Sequence, residues 1–296
     1  MRPSMLLALF ALPLLLLACG EGIGDGPTGE DGGLGLDRPH YLILGASGHP
    51  MTVTAGHHEA YLVEQGTAGR LYDLLSADGS QVFVWDHADE FFSHDAQGNV
   101  LTPWDNAEFT SFGFLHLVED LRWIDENWIQ DRETPTRLIV LGHSHGVVWA
   151  HIALHLYPDI PVDVLIDLDG DCTAWGSDAV PGLPSDGWDQ IVQQWTAVNQ
   201  VEWSFEIWNA CDSWSVQGLD EAFDIEDVVP ASAVINLEVR SDGLILFDAD
   251  PNVRLDGSLD GIVALETAEG HEEVAGRWSQ SMNWVVEQLQ AIYALE

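Results

Sequence analysis

Lysine is absent from this chain. Its nine basic residues are all arginine, set against 49 acidic ones, for a formal net charge of -40. A surface of that sign repels nucleic acid and anionic lipid, so the chain is not read as a binder of either polyanion. It suits a saline medium, where screening relieves self-repulsion; a high-GC genome that avoids lysine codons is the other explanation of the missing lysines. Cysteine is scarce, with three in 296 residues, which leaves room for one disulfide at most. There is no internal repeat and no second domain boundary. The longest apolar run, Met5 to Leu17, is short for a membrane span.

That run has a different meaning. It follows Arg2 and ends in Leu16-Leu17-Ala18-Cys19, which resembles a bacterial lipobox. The resemblance implies that residues 1–18 are a lipoprotein signal peptide and that Cys19 carries acyl chains such as palmitate. An ordinary secretory signal with an incidental cysteine is the alternative. Residues 19–37 are rich in Gly and acid and cannot bury a core, so they read as a flexible tether. The expected location is the cell envelope, on the periplasmic or surface face of the outer membrane, held there through the N-terminal anchor. In an oxidising compartment the other two cysteines, Cys172 and Cys211, invite a disulfide.

Residues 38–296 are long enough for one large core. Apolar runs at 40–44, 81–85, 137–141, 162–168, 234–239 and 261–265 read as buried strands. Helical spacing occupies 59–77, 114–128, 147–154 and 277–294. Alternation of this kind predicts an α/β fold, a mostly parallel sheet with helices on both faces and its site at the carboxyl ends of the strands.

One motif lies at such an end. Gly142-His143-Ser144-His145-Gly146 stands between the strand at 137–141 and the helix from 147. G-x-S-x-G between a strand and a helix is the pattern of a nucleophile elbow. The serine needs a tight, strained turn to project its hydroxyl, and side chains two residues to either side would collide across that turn. Here the chain resembles the α/β-hydrolase family of serine esterases and lipases, over most of its length after about residue 39. A serine N-cap in a Gly-rich turn is the plainer reading, but it leaves the paired glycines unexplained.

The resemblance implies an enzyme, a serine hydrolase acting on carboxylic esters through an acyl-enzyme, without a cofactor or metal. A serine hydroxyl needs a base, and of twelve histidines His271 follows the last strand and precedes the final helix, where the family carries its catalytic histidine. The acid has two candidates at strand ends. Asp242, in Arg240-Ser241-Asp242-Gly243, is preferred because the family most often places its acid there; Asp169, in Asp167-Leu168-Asp169-Gly170-Asp171, is the alternative. The N–H of His145 is the expected first oxyanion donor, and the second is expected from Ala46 or Ser47, in the loop after the first core strand. The side chains of His143 and His145 are expected to point away from the proton path, with pocket lining and surface as their roles.

His151 and His155 stand one helical turn apart, but Ile152 occupies the place of the metalloprotease glutamate. Asp167, Asp169 and Asp171 have calcium-like spacing, but Cys172 stands where an EF-hand needs glycine. Residues 172–233 exceed a normal crossover and hold six of the thirteen tryptophans. The family resemblance implies a cap over the serine there, lined for an apolar acyl or aryl group or a sugar; a satellite core is the alternative. The expected partner is a small-molecule ester or lipid. An amidase, peptidase or acyltransferase on the same triad, or a surface binding lipoprotein without turnover, are the competing readings. Acyl chain length and oligomeric state are not legible.

Overall fold

Leu42, Leu44 and Ala46 join the core on one side of the first strand, while Tyr41 and Ile43 join the core on the other. Alternate side chains of a strand point to opposite faces, so this strand is covered on both. It lies inside a sheet of six strands, whose edge strand at 262–267 is mostly exposed, in the computed structural model, which describes residues 38–48, 61–88, 94–95, 109–111, 113–172, 214–220, 222–241 and 250–295. The expected signal peptide, Cys19, the tether, Cys211, Asp242 and most of the Trp-rich insert lie outside the described residues.

The sheet strands are β1 (Tyr41–Ser47), β2 (Val82–Ala88), β3 (Arg137–His143), β4 (Val162–Leu168), β5 (Ala233–Ser241) and β6 (Ile262–Thr267). Their order is β6-β5-β4-β3-β1-β2, and every neighbouring pair is parallel. Helices α1 (Tyr61–Glu64), α2 (Thr67–Leu75), α3 (Phe114–Ile124) and α4 (His145–Leu156) lie between strands, and α5 (His271–Val274) and α6 (Gln280–Tyr293) follow β6. Leu71, Leu75, Met282, Val285 and Leu289, from α2 and α6, cover one face. Phe114, Leu117 and Leu121 of α3 and Val148 and Ile152 of α4 cover the other, beside an aromatic group of Trp85, Trp123 and Trp128. This is the α/β architecture expected from the alternation of runs. No described helix is long and apolar enough to cross a membrane.

The chain passes from β1 outward to β2 and then returns to lay β3 on the other side of β1. The strand order reverses there, at the carboxyl ends of β1 and β3, where open α/β sheets carry their sites. Ser47 and Gly48 end one strand and His143 and Ser144 end the other.

Some boundaries differ from expectation. The helix expected over 59–77 is two pieces, α1 and α2, parted at Gly66, whose φ of 81° is left-handed. The helix expected to reach Trp128 ends its α-helical part at Ile124 and continues as one π-helical turn over Asp125–Ile129. β2 runs three residues past Trp85, through the buried polar residues Asp86 and His87. Those two are held by distant partners: Ser47 and the Val63 N–H for Asp86, Asp120 for His87.

Candidate active site

Ser144 joins β3 to α4 with φ 55° and ψ -135°, a region that non-glycine residues occupy only under strain. Its N–H bonds the Leu168 carbonyl at 3.0 Å and its carbonyl accepts from Val147 at 3.0 Å, which pins the turn from both sides. Its side chain makes no helix-capping bond, so the plainer N-cap reading fails. The flanking glycines are needed for close approach. A Cβ on Gly146 would lie 2.0 Å from the Ala46 carbonyl oxygen, and one on Gly142 would lie 2.8 Å from Val147 Cα. Gly48 also presses on the turn, where a Cβ would stand 2.4 Å from the His143 oxygen and 2.7 Å from Ser144 Cβ.

His271, the first residue of α5, places Nε2 2.7 Å from Ser144 Oγ. Its other ring nitrogen, Nδ1, lies 2.6 Å from Asp169 Oδ2. All three side chains are buried, at 4%, 4% and 2% exposure. The segment that carries the histidine is fixed by its neighbours. Glu273 accepts from the Gly270 N–H at 3.0 Å. Glu269 accepts from the Gln280 and Ser281 N–H groups at 2.6 and 2.8 Å, so the loop caps the start of α6.

The carboxylate on the imidazole is therefore Asp169, after β4, where the sequence reading preferred Asp242, after β5. Asp242 lies outside the described residues. The end of β5 contributes support to this carboxylate: Ser241 donates its N–H to Asp169 Oδ1 and its hydroxyl to Oδ2, each at 2.6 Å. Burial by itself pushes the Asp169 carboxyl up, but the hydrogen bonds from His271 and Ser241 outweigh it and hold the group below the ordinary carboxylate range. An ionised Asp169 fixes the tautomer with hydrogen on Nδ1, which leaves Nε2 free to accept the serine proton.

His145 opens α4, and its N–H is among the helix-terminal donors that have no partner within the helix. Its ring nitrogen Nδ1 bonds the Asp171 carbonyl at 3.0 Å, which turns the ring away from Ser144's partner. Ala46 and Ser47 are not in a loop, as expected, but form the last two residues of β1. Ser47 is fully buried, its hydroxyl donating to Asp86 and accepting from the Leu62 N–H at 3.1 Å. Burial raises the Asp86 carboxyl to about 6 against the opposing bond from Ser47.

His143 is buried, with Nε2 2.8 Å from the main-chain oxygen of His271 and Nδ1 bonded to the Tyr61 hydroxyl. The Tyr61 oxygen in turn accepts from the Gly48 N–H at 3.1 Å. Tyr61 was missed in the sequence, where it is one of several residues with helical spacing and no motif marks it.

The remaining candidates are spent elsewhere. His151 bonds the Ile225 and Val228 carbonyls through Nδ1 and Asp167 through Nε2. His155 bonds the Val228 carbonyl and stacks on Trp214 at 4.6 Å. Asp167 accepts from His151, Asn236 and Asn252 on one oxygen. The Asp167 and Asp169 carboxylates thus serve separate networks. Among the described residues one trio, Cys172, Asp224 and Glu226, brings metal-ligand atoms within 4.8 Å of one another. Around it Glu226 is pushed well up by burial and by the neighbouring Asp224, Asp227 by burial and by the neighbouring Glu226, and Glu238 to about 7 by burial.

No family model matches the sequence, and no curated protein does. Solved structures with a similar course of chain include an esterase from Rhizomucor miehei (12% identity, 87% of this chain and 76% of that one, TM-score 0.43). Another is a variant of SOBER1 from Arabidopsis thaliana (12% identity, 86% and 99%, TM-score 0.40). A third is Est1E from Butyrivibrio proteoclasticus with ferulic acid bound (13% identity, 86% and 88%, TM-score 0.39). Likeness at this level carries no argument about the reaction, which rests on the site itself.

Proposed function

We propose that this chain is a serine hydrolase that cleaves carboxylic esters through an acyl-enzyme. One observation carries the reading: Ser144 Oγ, on a strained turn, meets His271 Nε2 at 2.7 Å while Nδ1 of the same ring meets Asp169 at 2.6 Å. Ser144 attacks the ester carbonyl carbon as its proton passes to His271 Nε2. The tetrahedral oxyanion is held by the His145 N–H, at the positive end of α4, and by the Ala46–Ser47 end of β1. Collapse breaks the bond to the alcohol, which leaves with the proton from His271. Water, giving a proton to the same ring, then attacks the acyl carbon; the bond to Ser144 Oγ breaks, the acid leaves, and the proton passes from His271 to Ser144. Asp169 orients the imidazole and stabilises its charged form.

The same reading includes the setting of the enzyme. Acylation at Cys19 anchors the chain to an envelope membrane, and residues 19–37 let the domain stand off from it. A Cys172–Cys211 disulfide ties the Trp-rich insert to the end of β4, and the insert's aromatic residues supply apolar area for the acyl group. The substrate is a small ester or a lipid. Supporting the anchor are Leu16-Leu17-Ala18-Cys19 and the short apolar run before it.

Hydrolysis of chromogenic esters of varied chain length tests the reaction. Ser144→Ala should lose several orders of magnitude in kcat while melting as wild type does. A folded Ser144→Ala protein with near wild-type turnover would end the proposal.

A further inference from the structure

The Tyr61–His143 contact has a direction that chemistry fixes. The His271 main-chain oxygen can only accept, so His143 Nε2 carries a hydrogen and donates to it. A neutral imidazole then has a bare Nδ1, which must accept from the Tyr61 hydroxyl. With its hydrogen committed, the Tyr61 oxygen uses a lone pair to accept the Gly48 N–H. The hydrogen bonds run one way, from the Gly48 N–H through the Tyr61 hydroxyl and the His143 ring to the His271 carbonyl.

The chain of bonds works only while His143 is neutral, because a protonated ring would present a second donor to the Tyr61 hydroxyl. Burial, and then the neighbouring His271, lower His143 to about 4. The rings of His143 and His271 lie 5.0 Å apart at 36°, so a charge on one would oppose the charge that catalysis places on the other. Both ends of the chain of bonds touch the reacting centre. Gly48 presses on Ser144 and the His145 nitrogen, and His271 is the base. Tyr61 itself is held because α1 is tied to the sheet by Ser47 and Asp86, which accept the Leu62 and Val63 N–H groups at 3.1 Å.

We propose that Tyr61 and His143 form a neutral hydrogen-bonded bridge that positions the end of β1 and the catalytic histidine about Ser144 as one unit. Neither residue touches the reacting atoms; both are positioning residues. The inference deepens the hydrolase reading and rests on it. It also gives the first histidine of Gly-His-Ser-His-Gly a task that pocket lining does not.

The test uses the full chain and the variants Tyr61→Phe, His143→Leu, His143→Gln and the Tyr61→Phe/His143→Leu double. Each is assayed for kcat and KM on a short chromogenic ester, for melting temperature, and for the low-field proton resonance of the His271 Nδ1–H in the Asp169 hydrogen bond. Misplacement of a catalytic group by a fraction of an ångström to an ångström costs on the order of tenfold to hundredfold. Tyr61→Phe should lose about that much in kcat with KM within about twofold, and should shift the low-field resonance. His143→Gln, which keeps a donor for the His271 carbonyl, should recover part of what His143→Leu loses. The double variant should be no worse than His143→Leu alone, because both act through one bridge. A Tyr61→Phe protein with unchanged kcat and an unmoved resonance overturns the proposal, as do losses that multiply in the double variant. Should His143→Leu fail to fold, Tyr61→Phe, His143→Gln and the double of these two form the same cycle. Wild-type protein that neither turns over the ester nor reacts with a fluorophosphonate would sink the hydrolase reading instead, and the resonance in Tyr61→Phe would then decide the bridge alone.

Discussion

Ser241 holds Asp169 by two hydrogen bonds of 2.6 Å, one from its N–H and one from its hydroxyl. The strand end preferred from sequence as the source of the acid thus braces an acid that comes from the neighbouring strand. Both donors point at the carboxylate that meets His271, and with the imidazole they hold it ionised. The charge is where a protonated His271 would need it.

The first prediction follows from this pairing. Asp169→Asn keeps the shape but no longer fixes the tautomer, so kcat should fall by about 10⁴-fold. Asp242→Asn should leave kcat within about tenfold of wild type. Steady-state kinetics of the two purified variants checks it, and the opposite ranking would return the acid to Asp242.

The second concerns the turn. Gly146→Ala drives a Cβ to 2.0 Å from the Ala46 oxygen, in a strand that cannot retreat. Overpacking of a rigid contact costs about 1–3 kcal/mol or more, so this variant should unfold at clearly lower urea or not fold. Gly79→Ala is the control. Its φ of 87° is left-handed, which that of Gly146 is not, but nothing lies within 4 Å of the new Cβ, so the cost should be about 1–2 kcal/mol from the backbone alone.

The third concerns pH and stability. Asp86 is raised to about 6 and Glu238 to about 7, and Glu226 and Asp227 are pushed up as well, all chiefly by burial. A carboxyl whose folded pKa exceeds its unfolded value contributes stability below the unfolded pKa, and loses it as pH rises through the folded one. Asp169 works the other way, but its effect is confined to the acid end, below the ordinary carboxylate range. His116, His143 and His155, lowered by burial to about 3, 4 and 4, oppose this trend below about pH 6.5, where the unfolded imidazoles protonate and the buried ones do not. Melting temperature at fixed ionic strength should therefore fall most clearly between about pH 6.5 and pH 8, and Glu226→Gln should flatten the slope. A melting temperature that climbs over that range contradicts the assignment.

Much of the fold was legible because strands buried on both faces leave apolar runs, such as Leu138 to Leu141 and Val164 to Ile166. The elbow was legible because its glycines answer a steric demand that Gly146 and Gly142 show directly. Legibility stopped where a residue depends on partners far along the chain. Asp86 and His87 look like the end of a strand until Ser47 and Asp120 satisfy them. Asp169-Gly170 and Asp242-Gly243 are alike in sequence, each after an apolar strand; only the approach of Ser241 and His271, 72 and 102 residues away, separates them. Tyr61 carried no local signal at all, because its role exists only once His143 and Gly48 are beside it.

The fourth prediction uses the charge of -40. The Debye length falls from about 30 Å at 0.01 M salt to about 3 Å at 1 M, so repulsion across the acidic face is progressively screened. Melting temperature should rise by several degrees between those sodium chloride concentrations. A flat response would mean that the charge does not oppose folding.

The most direct measurement of the central claim is the site of covalent capture by a fluorophosphonate. Attack by an activated serine on phosphorus expels fluoride and leaves a stable adduct that peptide mass spectrometry can place. The account predicts one adduct, on the peptide containing Ser144, absent in Ser144→Ala and formed far more slowly in His271→Ala and Asp169→Asn. No adduct on folded wild-type protein, or an adduct on a residue other than Ser144, would contradict it.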